Sequence, residues 1–162
     1  MAEISGICPP ELTAVRDRFA QNFDEGLEAG ARLTVCQDGD VVLDLMGGHA
    51  DAARTQPFGP DTLAPVFSVT KLVAALMIAR LVDQGLVTYD TPVAEVWPAF
   101  AQAGKGGVTL AQMMSHQAGL CGFIPAAEPD IWYDPGAVCD RLAAQPPLWP
   151  LGTGSGYHPI TI

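Results

Sequence analysis

The chain has 162 residues, and 49% of them are hydrophobic, which is enough apolar material for a folded domain with its own core. Its 18 acidic residues outnumber its 8 basic residues and give a net charge of −10. This charge excludes nucleic acid and an anionic membrane surface as expected partners, because both would repel the protein.

The first residues carry neither a positive stretch nor an apolar stretch of the signal-peptide kind, so we expect a cytoplasmic protein. The cysteines are widely spaced and form no C-x-x-C pair: Cys8, Cys36, Cys121 and Cys139. The histidines also lack the spacing of metal ligands: His49, His116 and His158. We therefore expect buried thiols, no metal and no cofactor.

In the N-terminal part, apolar residues recur three and four apart over residues 11–30, which predicts an amphipathic helix. Two β-prone segments follow at 32–37 and 41–46, and Asp38-Gly39 between them predicts a hairpin turn. The helix should cover one face of the hairpin. A lone two-stranded hairpin leaves an edge unpaired, so we expect self-association through that edge.

Ser68 and Lys71 stand three residues apart at the head of a segment whose residues 72–79 include no polar side chain. Such a segment predicts a helix buried within the fold. Residues i and i+3 share a helix face, so the Ser68 hydroxyl should lie within reach of the Lys71 amine.

This pairing suits a nucleophile and its base. A serine hydroxyl attacks an acyl group well only after a base takes its proton, and a lysine can do so only when uncharged. Burial and the positive end of the helix dipole both disfavour the ammonium form of Lys71. The backbone N–H of Ser68 could then donate to an oxyanion. The alternative is that Ser68 is a helix N-cap and Lys71 reaches solvent, but the apolar run that follows favours the functional interpretation.

The rest of the chain predicts short helices and turns. A helix is expected over residues 90–100, a flexible turn over 103–107, a capping box over 109–112, and a helix from Asp134 to Ala144. Tyr157 follows a glycine-rich stretch. It is either an ordinary surface or core aromatic residue, or a phenol that exchanges protons with Ser68 and Lys71.

Three motifs in order carry a family resemblance. They are the S-x-x-K motif at Ser68–Lys71, a His-x-x-Gly-Leu turn at 116–120, and a Trp-Pro-x-Gly-Thr approach at 149–153 to Tyr157. The chain resembles the serine β-lactamase and penicillin-binding-protein superfamily, in particular the class C-like branch with its family VIII esterases. The resemblance implies that Ser68 forms an acyl-enzyme and that Lys71 and Tyr157 share general base and acid duty. We place Trp149 and His158 at the substrate pocket and give His116 a structural role.

The resemblance also implies an α+β fold of the β-lactamase/transpeptidase type, in a single partial domain spanning 1–162. Residues 1–60 would supply the helix and hairpin, and residues 61–162 a mostly helical part with the active-site motifs. We expect the chain to be a front half, because relatives continue beyond Ile162 with a third motif and a second oxyanion donor. Losing one such donor lowers the rate about a hundredfold to a thousandfold.

The expected function is that of a serine hydrolase acting on small carboxylic esters or β-lactams, impaired by the missing half. Pro159 stands where the family commonly has the asparagine that binds substrate amides, which favours simple esters. One alternative is a catalytically inactive fragment or binding module. Another is a D-Ala peptidase, which the expected cytoplasmic location disfavours.

Overall fold

Residues 2–159 are described by a computed structural model of the chain. The chain divides into two units, Met1–Pro65 and Val66–Ile162, which are described separately below. The prediction of a single partial domain stays a prediction.

The first unit is a three-stranded antiparallel sheet with one helix. Strand β1 covers Ile4–Ile7, helix α1 Thr13–Asp24, strand β2 Gly30–Gln37 and strand β3 Asp40–Gly48. The strand order is β1-β3-β2. The predicted hairpin is confirmed, and its turn residues Asp38 and Gly39 both have positive φ, 52° and 93°, as the mirror-image turn of a tight hairpin requires.

Two predictions for this unit need correction. The sheet has a third strand, because β1 pairs with β3 from Ile4 opposite Gly47 to Ile7 opposite Asp44. Helix α1 ends at Asp24 rather than near residue 30, since Gly26 adopts a left-handed φ of 73° that stops the helix. Among the described residues β2 is an edge strand, and self-association through an edge stays a prediction.

The core of the first unit lies between α1 and β3. Phe19 from the helix packs with Leu43 and Leu45, which alternate along β3 and therefore point to the same face of the sheet. Phe19 and Phe23 meet edge to face, with ring centroids 5.3 Å apart. The helix thus covers one face of the sheet, as the sequence predicts.

The second unit is helical. Helix α2 covers Thr70–Asp83, α3 Val93–Val96, α4 Leu110–Met114 and α5 Pro135–Ala144, with 3₁₀ turns at Phe67–Val69, Pro98–Gly104 and Pro129–Tyr133. The predicted capping box is confirmed, since Thr109 and Gln112 exchange hydrogen bonds. The predicted start of α5 is confirmed as well, because the Asp134 carboxylate accepts from the N–H of Ala137.

Lys105 is an unexpected part of this unit's core. Its side chain is 0% exposed, and the amine donates to the carbonyls of Gln102, Ala143 and Gln145. Burial lowers the pKa of this amine. The sequence predicts a flexible turn around Lys105. In the structure the buried Lys105 side chain instead connects the 3₁₀ turn at Pro98–Gly104 to the end of α5 by hydrogen bonds.

The prediction that the nucleophile helix is buried is wrong for the described structure. No residue of α2 is buried, and Leu72 and Met77 are 63% and 64% exposed. An all-apolar run predicts burial only if an apolar partner covers it, and no such partner covers α2 within residues 2–159. The buried-thiol prediction also fails, since Cys36, Cys121 and Cys139 are exposed. None of the helices in residues 2–159 combines the length and hydropathy needed to cross a bilayer.

Candidate active site

Ser68 and Lys71 lie on either side of the start of α2. Ser68 belongs to the 3₁₀ turn at Phe67–Val69, and Lys71 to the first turn of α2. The Lys71 amine donates a hydrogen bond of 3.1 Å to the Ser68 hydroxyl. The structure therefore brings the predicted pair together. Ser68 is not a helix N-cap, because Val66 occupies the N-cap position of the 3₁₀ turn and Val69 that of α2.

The residue before Ser68 has an unusual backbone. Phe67 adopts a φ of 43°, in the left-handed region that non-glycine residues rarely occupy, and its side chain is exposed. Such a conformation costs about 1–3 kcal/mol and is found preferentially at functional sites. This free-energy cost arises at Phe67, the residue whose backbone directs the chain into the turn that holds Ser68. Nothing in the sequence around Phe67 signals this conformation.

Tyr157 approaches the same amine from the C-terminal part of the unit. The centroid of its ring lies 5.4 Å from Nζ of Lys71, and the side chain is 67% exposed. The amine thus contacts the Ser68 hydroxyl and faces the phenol ring. All three residues predicted to act in catalysis lie together in the second unit.

The loop that carries Tyr157 is fastened to the segment after α4. Three backbone hydrogen bonds join the two segments: Leu148 N–H to Gly119 O, Gly152 N–H to Gln117 O, and Gly156 N–H to His116 O. The Ser155 hydroxyl adds a bond of 2.9 Å to the carbonyl of Ser115. The His-x-x-Gly-Leu turn singled out in the sequence is therefore the support on which the Tyr157 loop rests.

A buried pair of histidines lies behind Tyr157. His116 and His158 are 8% and 4% exposed, and their Nδ1 atoms are 3.3 Å apart. His158 Nδ1 is also 2.6 Å from the carbonyl oxygen of Gly156. A carbonyl only accepts, so His158 carries the proton on Nδ1 and His116 Nδ1 is the acceptor.

Burial and neighbouring groups favour the neutral form of both rings. Burial lowers the pKa of His116, and the nearby His158 and Lys71 lower it further. Burial also lowers the pKa of His158, partly offset by its hydrogen bond to Gly156, while Lys71 adds to the lowering. The sequence analysis gives His116 a structural role. It does not predict the contact between His116 and His158, because the two residues lie 42 positions apart and no local pattern signals it.

The residues predicted to form the substrate pocket support the loop in this structure. The Trp149 indole donates a 3.1 Å hydrogen bond to the carbonyl of Gly154. His158 is buried against His116. Substrate contacts of Trp149 and His158, and the oxyanion role of the Ser68 N–H, stay predictions. Within residues 2–159, no group of three or more His, Cys, Asp or Glu side chains could hold a metal ion.

Several known proteins are similar to this chain in sequence and in fold. The profile of the beta-lactamase family matches residues 19–162. The chain is 40% identical over 158 residues to the esterase/beta-lactamase LipL of Mycobacterium tuberculosis, covering 98% of this chain and 36% of the relative. A penicillin-binding protein homologue from Caulobacter crescentus superposes with a TM-score of 0.90 at 58% identity, covering 98% of this chain and 43% of that one.

A family VIII carboxylesterase superposes with a TM-score of 0.84 at 49% identity, covering 96% of this chain and 42% of that one. The chain therefore spans less than half the length of these relatives. The profile match extends over most of the chain, and both structural neighbours share its arrangement of helices and sheet. This α+β chain, with its β-lactamase/transpeptidase-like fold, belongs to the β-lactamase family.

Proposed function

We propose that Ser68, Lys71 and Tyr157 form the acyl-transfer centre of a serine hydrolase that acts on small carboxylic esters or β-lactams. The observation that carries the proposal is the position of one amine, 3.1 Å from the Ser68 hydroxyl and 5.4 Å from the centroid of the Tyr157 ring. The esterase/beta-lactamase and carboxylesterase relatives support hydrolase chemistry in general.

In the first step the Ser68 oxygen attacks the substrate carbonyl carbon and gives up its proton. The amine donates to the hydroxyl in the structure, so Lys71 must be uncharged before the same contact can work in reverse. The attack forms the Oγ–C bond and places negative charge on the carbonyl oxygen, which the Ser68 N–H at the helix start would stabilise. The carbonyl then re-forms as the ester C–O bond or the lactam C–N bond breaks: the ester alcohol departs with a proton, whereas the lactam nitrogen takes a proton and stays attached to the opened ring. Water later cleaves the acyl-enzyme and releases the acid and Ser68.

Lys71 lies in the first turn of α2, at the positive end of the helix dipole. The described helix does not add the burial that the sequence predicts, and Lys71 is only half-buried. A substrate lying over the exposed Ser68 would remove further water from the amine. We therefore assign part of the activation of Ser68 to the bound state.

Tyr157 is the proposed proton carrier to the leaving group. Its ring is exposed and faces Lys71, and the proposal has the phenol exchange a proton with that amine once a substrate is bound. Pro159 follows two residues later and has no side-chain amide for a substrate amide to bind. Esters are therefore the preferred substrates within the proposed class.

A fluorophosphonate probe tests the proposal, because a reactive serine oxygen forms a bond to phosphorus as fluoride leaves. The purified chain should be labelled and Ser68→Ala should not, while Ser5→Ala, at an exposed position of β1, should label normally. Hydrolysis of a p-nitrophenyl ester and of a chromogenic cephalosporin should both depend on Ser68. Equal labelling of the wild type and Ser68→Ala would rule out Ser68 as the nucleophile.

A non-catalytic binding role is the second candidate, and the exposed apolar surface of α2 favours it. Leu72, Leu76 and Met77 are each more than half exposed. A surface of this kind on one helix is typical of a contact with another polypeptide segment. Ser68-dependent hydrolysis at an ordinary enzyme rate by the 162-residue chain excludes a purely binding role.

A further inference from the structure

His116 contacts three consecutive residues of the loop that carries Tyr157. Its carbonyl oxygen accepts the Gly156 N–H at 3.0 Å, its ring centroid lies 4.8 Å from that of Tyr157, and its Nδ1 lies 3.3 Å from that of His158. Tyr157 itself is mostly exposed, and its ring also faces Lys71. The position of the phenol beside Lys71 therefore depends on His116.

The backbone of His116 is also constrained. Its φ is 60°, a left-handed conformation at the end of α4, and its ring is held in the interior by this turn. A non-glycine residue in this region costs free energy that the surrounding contacts must offset. The side chain is thus directed at Tyr157 by a specific backbone geometry.

The contact with His158 exists in one protonation state only. With both rings neutral, His158 donates from Nδ1 and His116 accepts at Nδ1. When His116 is protonated, both Nδ1 atoms carry a hydrogen. Neither can then accept, so the hydrogen bond between the two rings is lost and the two N–H groups repel each other. The added positive charge also faces the Lys71 amine, which already acts on His116.

The groups that face His116 come from two other segments. His158 and Tyr157 belong to the C-terminal loop, and Lys71 belongs to α2. Of these, His158 and Lys71 both disfavour a positive charge on the His116 ring. Protonation therefore destabilises the arrangement from both sides.

We infer that His116 is a positioning residue for Tyr157: its neutral ring, paired with His158, holds the phenol beside Lys71, and protonation of the pair releases the phenol. The consequence for acyl transfer depends on the proposed function, whereas the placement of Tyr157 does not.

Two substitutions separate the contributions of His116. His116→Asn keeps an acceptor oxygen near the Nδ1 position and tolerates the left-handed backbone, but it removes the ring contact with Tyr157. His116→Phe keeps a ring against Tyr157 but removes the titrating nitrogen. His49→Asn, in the first unit, is the matched control. Circular dichroism establishes that each variant folds.

The first measurement is the rate of fluorophosphonate labelling of Ser68 as the pH falls from well above to well below 6.5, the ordinary histidine pKa. In wild type and His49→Asn the rate should fall as the pair protonates. His116→Asn should label about tenfold to a hundredfold more slowly even at high pH, because the phenol is misplaced. His116→Phe keeps the ring contact but lacks the Nδ1 acceptor for His158, so at high pH its rate should lie between those of wild type and His116→Asn, and most of the fall with pH should be lost.

The second measurement uses no activity. With ¹³C-labelled tyrosine, the ring signals of Tyr157, assigned with Tyr157→Phe, should shift in step with the His116 imidazole signal as the pH falls. In His116→Asn they should start at a different position and lack that step. If a folded His116→Asn keeps the wild-type Tyr157 signals and their pH dependence, the inference is overturned. If no Ser68-dependent labelling occurs but the signals behave as expected, the positioning stands and the proposed hydrolase function fails.

Discussion

The ring of Trp149 leaves no room for a side chain at Gly156. A Cβ added to Gly156 would lie 2.5 Å from Cη2 of Trp149 and 3.0 Å from Cβ of Cys121. The same glycine donates its N–H to the carbonyl of His116. The residue immediately before Tyr157 is therefore clamped between an indole ring and the turn after α4, and this clamp sets where the phenol can go.

Gly156→Ala should displace the Tyr157 loop and slow Ser68 labelling about tenfold or more, because a shift of about 1 Å at a reacting group is enough for such a loss. Gly154→Ala is the control, since its added Cβ would meet Trp149 no closer than 3.5 Å, an ordinary contact. Labelling rates of the two variants, measured beside wild type, check this. Equal rates for both alanine variants would contradict the clamp.

Tyr157→Phe should lower ester hydrolysis about a hundredfold or more, because the phenol oxygen is the proposed proton carrier. Its stability should stay near wild type, since the side chain is 67% exposed. Tyr133→Phe removes a hydroxyl from another exposed tyrosine of the same unit and should leave both quantities unchanged. The steady-state hydrolysis rate and thermal unfolding measure the two effects. A hydrolysis rate for Tyr157→Phe that matches Tyr133→Phe would remove the phenol from the mechanism.

Lys105→Met should reduce the free energy of unfolding by about 2–4 kcal/mol, because three buried carbonyl oxygens lose a charged donor. Lys71→Met is the matched control at the chain's other lysine, where the half-buried side chain predicts a change within about 0.5 kcal/mol. All three tryptophans lie in the second unit, so tryptophan fluorescence during urea unfolding reports on that unit. If Lys105→Met lost no more free energy of unfolding than Lys71→Met, the three carbonyl oxygens would have found other hydrogen-bond donors.

The second unit should lose stability in mild acid. The pKa values of His116 and His158 are lowered in the folded state from their ordinary value of 6.5. The unfolded chain therefore binds protons first as the pH falls below 6.5, so the stabilisation present above that pH is lost down through the folded-state values.

His116→Asn should flatten this acid limb, and His49→Asn should not. Urea unfolding followed by tryptophan fluorescence over a pH series gives the slope for each protein. An unchanged slope in His116→Asn would mean that other groups, carboxylates among them, cause the acid sensitivity.

The sequence by itself determined the features that depend on neighbouring residues. The Ser68–Lys71 contact follows from a spacing of three at a helix start, which fixes the two side chains on one face. The hairpin turn at Asp38-Gly39, the capping box at Thr109 and the start of α5 at Asp134 are likewise set within four residues. Each has a local hydrogen bond or backbone angle as its cause, so each could be predicted before any fold was known.

Only the tertiary structure decided the rest. The pairing of β1 with β3 and the contact of His116 with His158 join residues about forty positions apart, where loop closure and packing, not local preference, choose the partner. The burial of Lys105 depends on α5 presenting its last carbonyls, and the exposure of α2 depends on what covers it in the described chain. Composition shows that a segment is apolar or charged, but which surface meets it is a property of the folded arrangement.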